Sequence, residues 1–223
     1  MTQFLRFTLM MFLLPVSNAR NLGIVVENDL KLDIHVNNIC RAASFGLHKI
    51  GKIRHYLDSS TTEKLIHAFV SSHLDNCNSL LYGLPDSQIS KLQRIQNSAA
   101  RLITRSKSRD HITPILHELH WLPVKYRIMY KTLVLTYKCI HGFAPVYLQE
   151  LVQLYQPTRH LRSSSKSLLV STSTSTVSYG KRAFISSSSE LWNNLPEYVK
   201  NVNTTEQFKS SLKTHLFRLC FDP

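Results

Sequence analysis

Ser72-His-Leu-Asp-Asn-Cys-Asn-Ser-Leu-Leu-Tyr-Gly-Leu-Pro85, followed by Asp86-Ser-Gln-Ile-Ser-Lys-Leu-Gln-Arg-Ile-Gln-Asn-Ser-Ala-Ala-Arg-Leu-Ile-Thr104, is where the chain declares its helical character. Gly83, Leu84 and Pro85 break what precedes. Asp86 can open a helix by accepting from the unpaired amides of a first turn. At about 100° per residue, Ile89, Leu92, Ile95, Ala99, Leu102 and Ile103 gather on one side. Arg94, Arg101 and Arg105 fall opposite in a band about 40° wide, with Lys91 beside them. One face packs and the other presents guanidinium groups. A charge run usually marks only a solvated face. This one has no acidic residue at i±4, which points to an anionic ligand.

The same logic extends upstream. Asn21 to Val26 is a short β-branched strand with Gly23 where backbone can approach closely. From Leu32 to about Leu57 the apolar spacing is helical, and Arg41, Lys49, Lys52, Arg54 and three histidines decorate the segment. Ser60-Thr61-Thr62-Glu63 has the form of a capping box, so a second helix is expected there, with Leu65, Ile66, Phe69, Val70 and Leu74 as its apolar stripe.

Downstream, Ser106 to Asp110 is a polar linker and a plausible boundary. Thr113-Pro114 predicts a helix opening, with the hydroxyl as cap and Pro at the first position. Trp121-Leu122-Pro123 is a turn. A long helix follows from Val124 to His141, ended by Gly142 and Pro145, and it is apolar enough to be central. On it Tyr126, Tyr130 and Tyr137 lie beside Arg127, Lys131 and Lys138. Such interleaving can stack bases and bind phosphates, or place tyrosines in the core while the cations snorkel past. The balance favours the core reading.

Ser and Thr crowd residues 161 to 189, with Arg159, Arg162 and Lys166 as a basic flank, which reads as a flexible loop or weak hairpin. Gly180-Lys181-Arg182 offers backbone amides and charge to a phosphate, but no G-x-x-x-x-G-K-[ST] loop is present. Ala183 to Asn194 reads as a short helix. Asn203-Thr204-Thr205-Glu206 caps the last one, with Phe208, Leu212, Leu216 and Leu219 as its stripe.

The 27 Lys and Arg against 14 Asp and Glu give a net charge of +13, which suggests a polyanionic partner. Residues 1–85 are nearly balanced, with eight basic and six acidic side chains. Residues 86–131 hold nine and three, so the basic character begins at the 86–104 helix. Cys40, Cys77, Cys139 and Cys220 form no C-x-x-C pair and read as free, buried thiols. His117 and His120 can share a helical face, with His111 nearby, but no carboxylate or cysteine cluster completes a metal site. No Asp-Asp dipeptide occurs, and the acidic residues do not cluster, so paired carboxylates for Mg²⁺-assisted polymerisation are not in this sequence. Residues 7–14, with Arg6 before them and Ser17-Asn18-Ala19 after, mimic a secretory signal.

In combination, several segments resemble the region just downstream of the polymerase core in non-LTR (LINE-type) retrotransposon reverse transcriptases of the jockey-like and chicken-repeat-like clade. They are 72–85, Leu-Gln-Arg-Ile-Gln-Asn-Ser-Ala-Ala-Arg-Leu (92–102), His-Ile-Thr-Pro-Ile-Leu-His-Glu-Leu-His-Trp-Leu-Pro-Val (111–124) and His-Gly-Phe-Ala-Pro-Val-Tyr-Leu (141–148). Gly-Lys-Arg-Ala-Phe (180–184), Leu-Trp-Asn-Asn-Leu-Pro (191–196) and Phe-Lys-Ser-Ser-Leu-Lys-Thr-His-Leu-Phe (208–217) continue the series in order. The resemblance implies that Leu22-Gly23 is a remnant of the primer grip, which holds a growing 3′ end at the edge of the palm. It implies that the helices of 32–106 form a thumb, against which template and primer lie. The Mg²⁺ of such an enzyme would belong to a palm outside this sequence, so no cofactor is expected here.

The expected architecture is mainly α. Residues 1–31 comprise a spurious start and a last palm strand, 32–106 a thumb-like helical bundle, and 107–223 a basic helical domain, with minor β at the amino-terminal edge and in the Ser/Thr-rich stretch. The expected function is that of a truncated carboxy-terminal fragment with no polymerase activity. It would bind RNA or DNA without strong sequence preference, through Lys91, Arg94, Arg101, Arg105, Arg127, Lys131, Lys138, Lys181 and Arg182. No small-molecule substrate or membrane is expected, and the resemblance places the chain inside the cell, in a nuclear or cytoplasmic ribonucleoprotein. On that view the first ~14 residues are an accidental start rather than a secretory signal. The alternatives are a remnant that binds nothing and a secreted basic helical protein.

Overall fold

The computed structural model describes residues 17–156, 167–172, 176 and 180–222. The signal-like stretch up to residue 16, the basic flank at Arg159, Arg162 and Lys166, and residues 173–175 of the Ser171 to Thr176 run lie outside them.

A hairpin opens the described chain. Strand β1 (Asn18–Asn21) pairs antiparallel with β2 (Ile24–Glu27), Asn21 opposite Ile24 and Asn18 opposite Glu27. Two residues connect them, Leu22 at φ 47° and Gly23 at φ 87°. Two central residues with positive φ match the right-handed twist of the flanking strands, which is why Gly belongs here. Glu27 ends the hairpin and begins the helical part. Its carboxylate accepts from the amides of Asp33 (2.9 Å) and Ile34 (2.7 Å), at the start of helix α1 (Asp33–Ile53). It thereby satisfies two unpaired donors of that helix's first turn.

The rest is mainly helical, as expected. After α1 come a 3₁₀ turn (Arg54–Tyr56), α2 (Ser59–Ile66), a π-helical turn (His67–Ser71), α3 (Ser72–Asp75) and a second 3₁₀ turn (Asn78–Leu81). Then follow α4 (Asp86–Thr104), α5 (Ile112–Glu118), α6 (Val124–Ile140), α7 (Val146–Gln149), α8 (Phe184–Asn193), α9 (Glu197–Lys200) and α10 (Thr205–Phe221). In the Ser/Thr-rich region the described β structure is a single antiparallel bridge, Leu154 to Leu169. Asn193 holds it, accepting from the Leu169 amide (2.8 Å) and donating to the Leu169 carbonyl (3.0 Å), while Trp192 Nε1 donates to Ser167 (2.7 Å).

Several starts differ from expectation. The cap of α2 is Asp58, which accepts from the Thr61 amide at 3.2 Å, rather than Ser60. Asp86 sits inside the first turn of α4 and caps nothing, because Pro85 precedes the helix. Its charge still suits the positive end of the helix dipole. Helix α5 begins at Ile112 without a side-chain cap, so Thr113 is already helical. Thr204 does cap α10, accepting from Gln207 at 3.2 Å.

Three apolar clusters fill the interior. In the first, Val36, Ile39, Leu74, Leu81 and Leu92 meet Val124 and Ile128. In the second, Ala43, Ile50, Ile66, Val70, Ala99 and Ile103 meet Ile115, Leu116 and Trp121. The third joins Leu133, Tyr137, Leu191, Trp192, Phe208, Leu212 and Leu216. Helix α6 is central, contributing to the first and third clusters. The polar stretch 106–110 therefore connects helices that share a core. Leu219, expected in the stripe of α10, is exposed.

Helices α1 and α4 lie side by side and run in the same direction. Asn37 near the start of α1 accepts from Lys91 near the start of α4 (3.2 Å), and Arg54 just beyond α1 donates to Leu102 and Ile103 at the end of α4. This pair carries the first candidate surface.

Candidate nucleic-acid interface

Helix α4 keeps its two faces apart. Leu92, Ala99, Ala100 and Ile103 are buried, together with Gln88 and Gln96, whose place on the packed face the spacing of apolar residues does not reveal. Gln96 donates to the Leu122 carbonyl (2.8 Å), and Gln93 accepts from the Val124 amide (2.8 Å). The second bond caps α6 from a distant element. On the opposite face Lys91, Arg94, Arg101 and Arg105 are brought together as expected, and their environments differ. Arg94 is exposed, and its guanidinium makes no hydrogen bond or ion pair with a described residue. Lys91 is half-buried and meets the Asn37 amide oxygen. Arg101 is half-buried, donates to the Asp110 carbonyl (3.1 Å) and keeps its Nε buried without a partner among the described residues. Arg105 ends the helix at φ 56° and reaches the Leu57 carbonyl at 3.4 Å. Among the described residues, the groups that accept from the stripe are neutral oxygens, so its positive charge is not cancelled locally.

The other expected cations are dispersed. Arg127 is locked in a forked ion pair with Asp75, its Nε donating at 2.9 Å. It lines a cleft of about 400 Å³ with Lys131, where Lys213 of α10 joins them. Nothing in the spacing of α10 marks Lys213 as more than an outer residue of its helix. Glu63 and Asp75 stand in the same cleft and offset part of its charge. Lys138 is half-buried farther along α6. The tyrosines there behave as core. Tyr137 is buried, stacks on Phe208 with ring centres 4.3 Å apart, and donates to the Val202 carbonyl (3.1 Å). Burial raises its pKa, and that of Tyr130, above the ordinary phenol value.

Lys181 and Arg182 line a separate cleft of about 570 Å³, which Lys125 also lines. Arg182 also has a structural task. It donates to the Leu30 carbonyl (3.0 Å), and its side chain lies over Gly83, where an added Cβ would come within 2.7 Å of the arginine Cγ. Leu22 and Gly23 form the hairpin tip, Leu22 being 90% exposed. His117 and His120 pack against Phe217 of α10, and His117 also meets Phe221. No group of three or more metal-ligating side chains occurs among the described residues. The four cysteines are free. Cys139 is buried, Cys40 and Cys220 are half-buried, and Cys77 is exposed, against the expectation of burial. Burial raises the pKa of the first three thiols, with Lys91 opposing at Cys40.

What sequence reasoning misses is aromatic. The apolar spacing puts Phe69 in the buried stripe of α2, yet it is 56% exposed. The π turn His67–Ser71 winds more widely than an α turn and rotates Phe69 outward while keeping Val70 inside. Phe45 and Tyr56 are exposed as well. No helix among the described residues is long and apolar enough to cross a membrane. Compared with known proteins, the chain matches no family model, no curated protein and no solved structure.

Proposed function

We propose that the chain corresponds to the thumb and following basic region of a non-LTR retrotransposon reverse transcriptase. On this reading it binds RNA or DNA through backbone phosphates and has no polymerase chemistry of its own. The ordered series of matching segments supports the relationship, and the absence of any Asp-Asp pair supports the lack of catalysis. The exposed Leu22-Gly23 tip suits a primer-grip remnant. One observation carries the binding function: a line of cations on α4 whose side-chain partners among the described residues, at Lys91, Arg101 and Arg105, are neutral oxygens. Unneutralised charge of that kind binds a polyanion by releasing its counterions, without regard to sequence.

Lys91, Arg94 and Arg105 can be changed to Gln together, because Gln forms helix nearly as well as Lys or Arg at the first two positions, Arg105 lies past the last helical residue, and none of the three is buried. The plot of log affinity against log salt should flatten by about two to three units, roughly 0.7 for each phosphate no longer neutralised on a single strand and 0.9 on a duplex. All sequences should weaken alike. Fluorescence anisotropy between 50 and 300 mM salt reads this, beside a circular dichroism melt. An unchanged slope in a folded triple variant would reduce the stripe to a solvated face.

A further inference from the structure

Helix α1 carries a second surface that the α4 stripe does not include. At about 100° per residue, Arg41, Phe45, His48 and Lys52 lie directly opposite its buried side chains Val36, Ile39, Ala43 and Ile50. Lys49 stands at the edge of that face, its Nζ 4.3 Å from the centre of the Phe45 ring. From Ile34 to Leu57 there is no acidic residue. The nearest acid beyond, Asp58, is occupied in capping α2.

The feature that a merely solvated face lacks is its aromatic content. Phe45 is 61% exposed and Phe69 is 56% exposed. The backbone of Phe69 is pressed against Gly46, so close that an added Cβ there would lie 2.8 Å from the Phe69 carbonyl oxygen. Tyr56, 81% exposed, lies in the 3₁₀ turn that follows α1. Large aromatic side chains turned toward water forgo the stabilisation of burial. Interleaved with unopposed cations, they are the components of a surface that stacks unpaired bases while its charges follow the backbone. A duplex hides its base faces inside its own stack and has no use for such rings.

We propose that this face binds single-stranded nucleic acid, with bases stacked on Phe45 and Phe69 and phosphates held by Arg41, Lys49 and Lys52. The proposal rests on the nucleic-acid reading above and deepens it, because it names the strand state that is bound and a surface for the bases. Lys91 of α4 donates to Asn37 of α1 (3.2 Å), so the helix that carries this face is joined directly to the one that carries the α4 stripe.

The test uses the whole chain with labelled oligo-dT and oligo-U, a same-length abasic strand, and a duplex. Phe45→Leu together with Phe69→Leu should weaken oligo-dT and oligo-U binding by about tenfold or more, within the range seen when stacking aromatics are removed. It should leave abasic binding and the salt slope unchanged. Both residues are exposed, so the melt should be unchanged too. Phe45→Trp should show emission quenched by oligo-dT or oligo-U and not by the abasic strand. Equal affinity of the double Leu variant and the wild type would overturn the stacking face while leaving the α4 stripe standing. So would a wild type that binds abasic and base-bearing strands, or duplex and single strand, alike. Failure of the wild type to bind any of the probes would overturn both readings.

Discussion

Arg54 holds a full positive charge at a place only 7% exposed. It is kept there by three carbonyl oxygens: Nε donates to Leu102 (2.7 Å), one terminal nitrogen to Leu57 (2.6 Å) and the other to Ile103 (2.8 Å). Two of these carbonyls belong to the last turn of α4, where carbonyls lack helical partners and the dipole is negative. Burial, and then the charge of Arg105, push the guanidinium pKa down, while Asp58 opposes them. An arginine stays protonated under such pressure where a lysine would yield its proton far more readily. The residue therefore ties the end of α1 to the end of α4 and fixes the spacing of the two cationic surfaces. Arg54→Met should cost about 3 kcal/mol, since it leaves buried carbonyls unpaired. In a chain of this size that is a fall of about 6–12 °C in melting temperature. Arg54→Lys should recover only part of it, because one ammonium cannot span three fixed carbonyls. Thermal melts of the two variants decide the point, and a Met variant that melts with the wild type would contradict it.

At the scale of the element, two glycines in α1 make opposite predictions from one helix. A glycine inside a helix is ordinarily a weakness of about 0.5–1 kcal/mol relative to alanine. At Gly51 an added Cβ would meet nothing within 4 Å, so Gly51→Ala should stabilise the chain by about that amount. At Gly46 the same Cβ would sit 2.8 Å from the Phe69 backbone oxygen, and backbone cannot yield as a flexible side chain does. Gly46→Ala should therefore destabilise by about 1–3 kcal/mol despite the better propensity, by wedging α1 from the π turn. Urea midpoints of the two variants on opposite sides of wild type are the expected result, and two midpoints shifted in the same direction would refute the close approach. Gly46 also shows what the sequence could not disclose. Apolar spacing locates α1, α2, α4, α6 and α10, because helix period is a local property. Caps supplied from elsewhere, Glu27 on α1 and Gln93 on α6, leave no local mark. Nor does the π turn that carries the exposed Phe69, whose backbone lies against Gly46 on a separate helix. The cationic stripe of α4 is legible because charge and period coincide on one helix. The aromatic face of α1 is not, because exposure of Phe45 and Phe69 depends on what fails to cover them.

Across the whole molecule, the question is whether the helices before and after the polar stretch 106–110 form one cooperative body. The packing argues that they do. Ile115, Leu116 and Trp121 complete the cluster built by α1, α2 and α4, and Val124 and Ile128 complete the one around Leu92. Ile95 packs against both of these clusters, and Tyr82 against both the Leu92 cluster and the one around Trp192. Arg182 adds a bond to Leu30, 152 residues away. A group removed from any one cluster would leave neighbours in another poorly packed, which is the physical basis of all-or-none unfolding. The two tryptophans are well placed to test this, because Trp121 reports on the cluster of α1, α2 and α4 while Trp192 reports on that of α6, α8 and α10. In a Trp192→Phe variant all tryptophan emission comes from Trp121, and in Trp121→Phe it comes from Trp192. Either change costs some stability, since both rings are buried. Each variant is therefore compared with its own circular dichroism rather than with the other. Within each, the urea midpoint seen by fluorescence should coincide with that seen by helicity, and the slope should be that of a chain of this length unfolding at once. A Trp121 signal that disappears at lower urea than the bulk of the helicity, or a Trp192 signal that does so in its own variant, would show instead that the chain opens in two stages. The α1–α4 surfaces would then be free to move independently of the helices that follow.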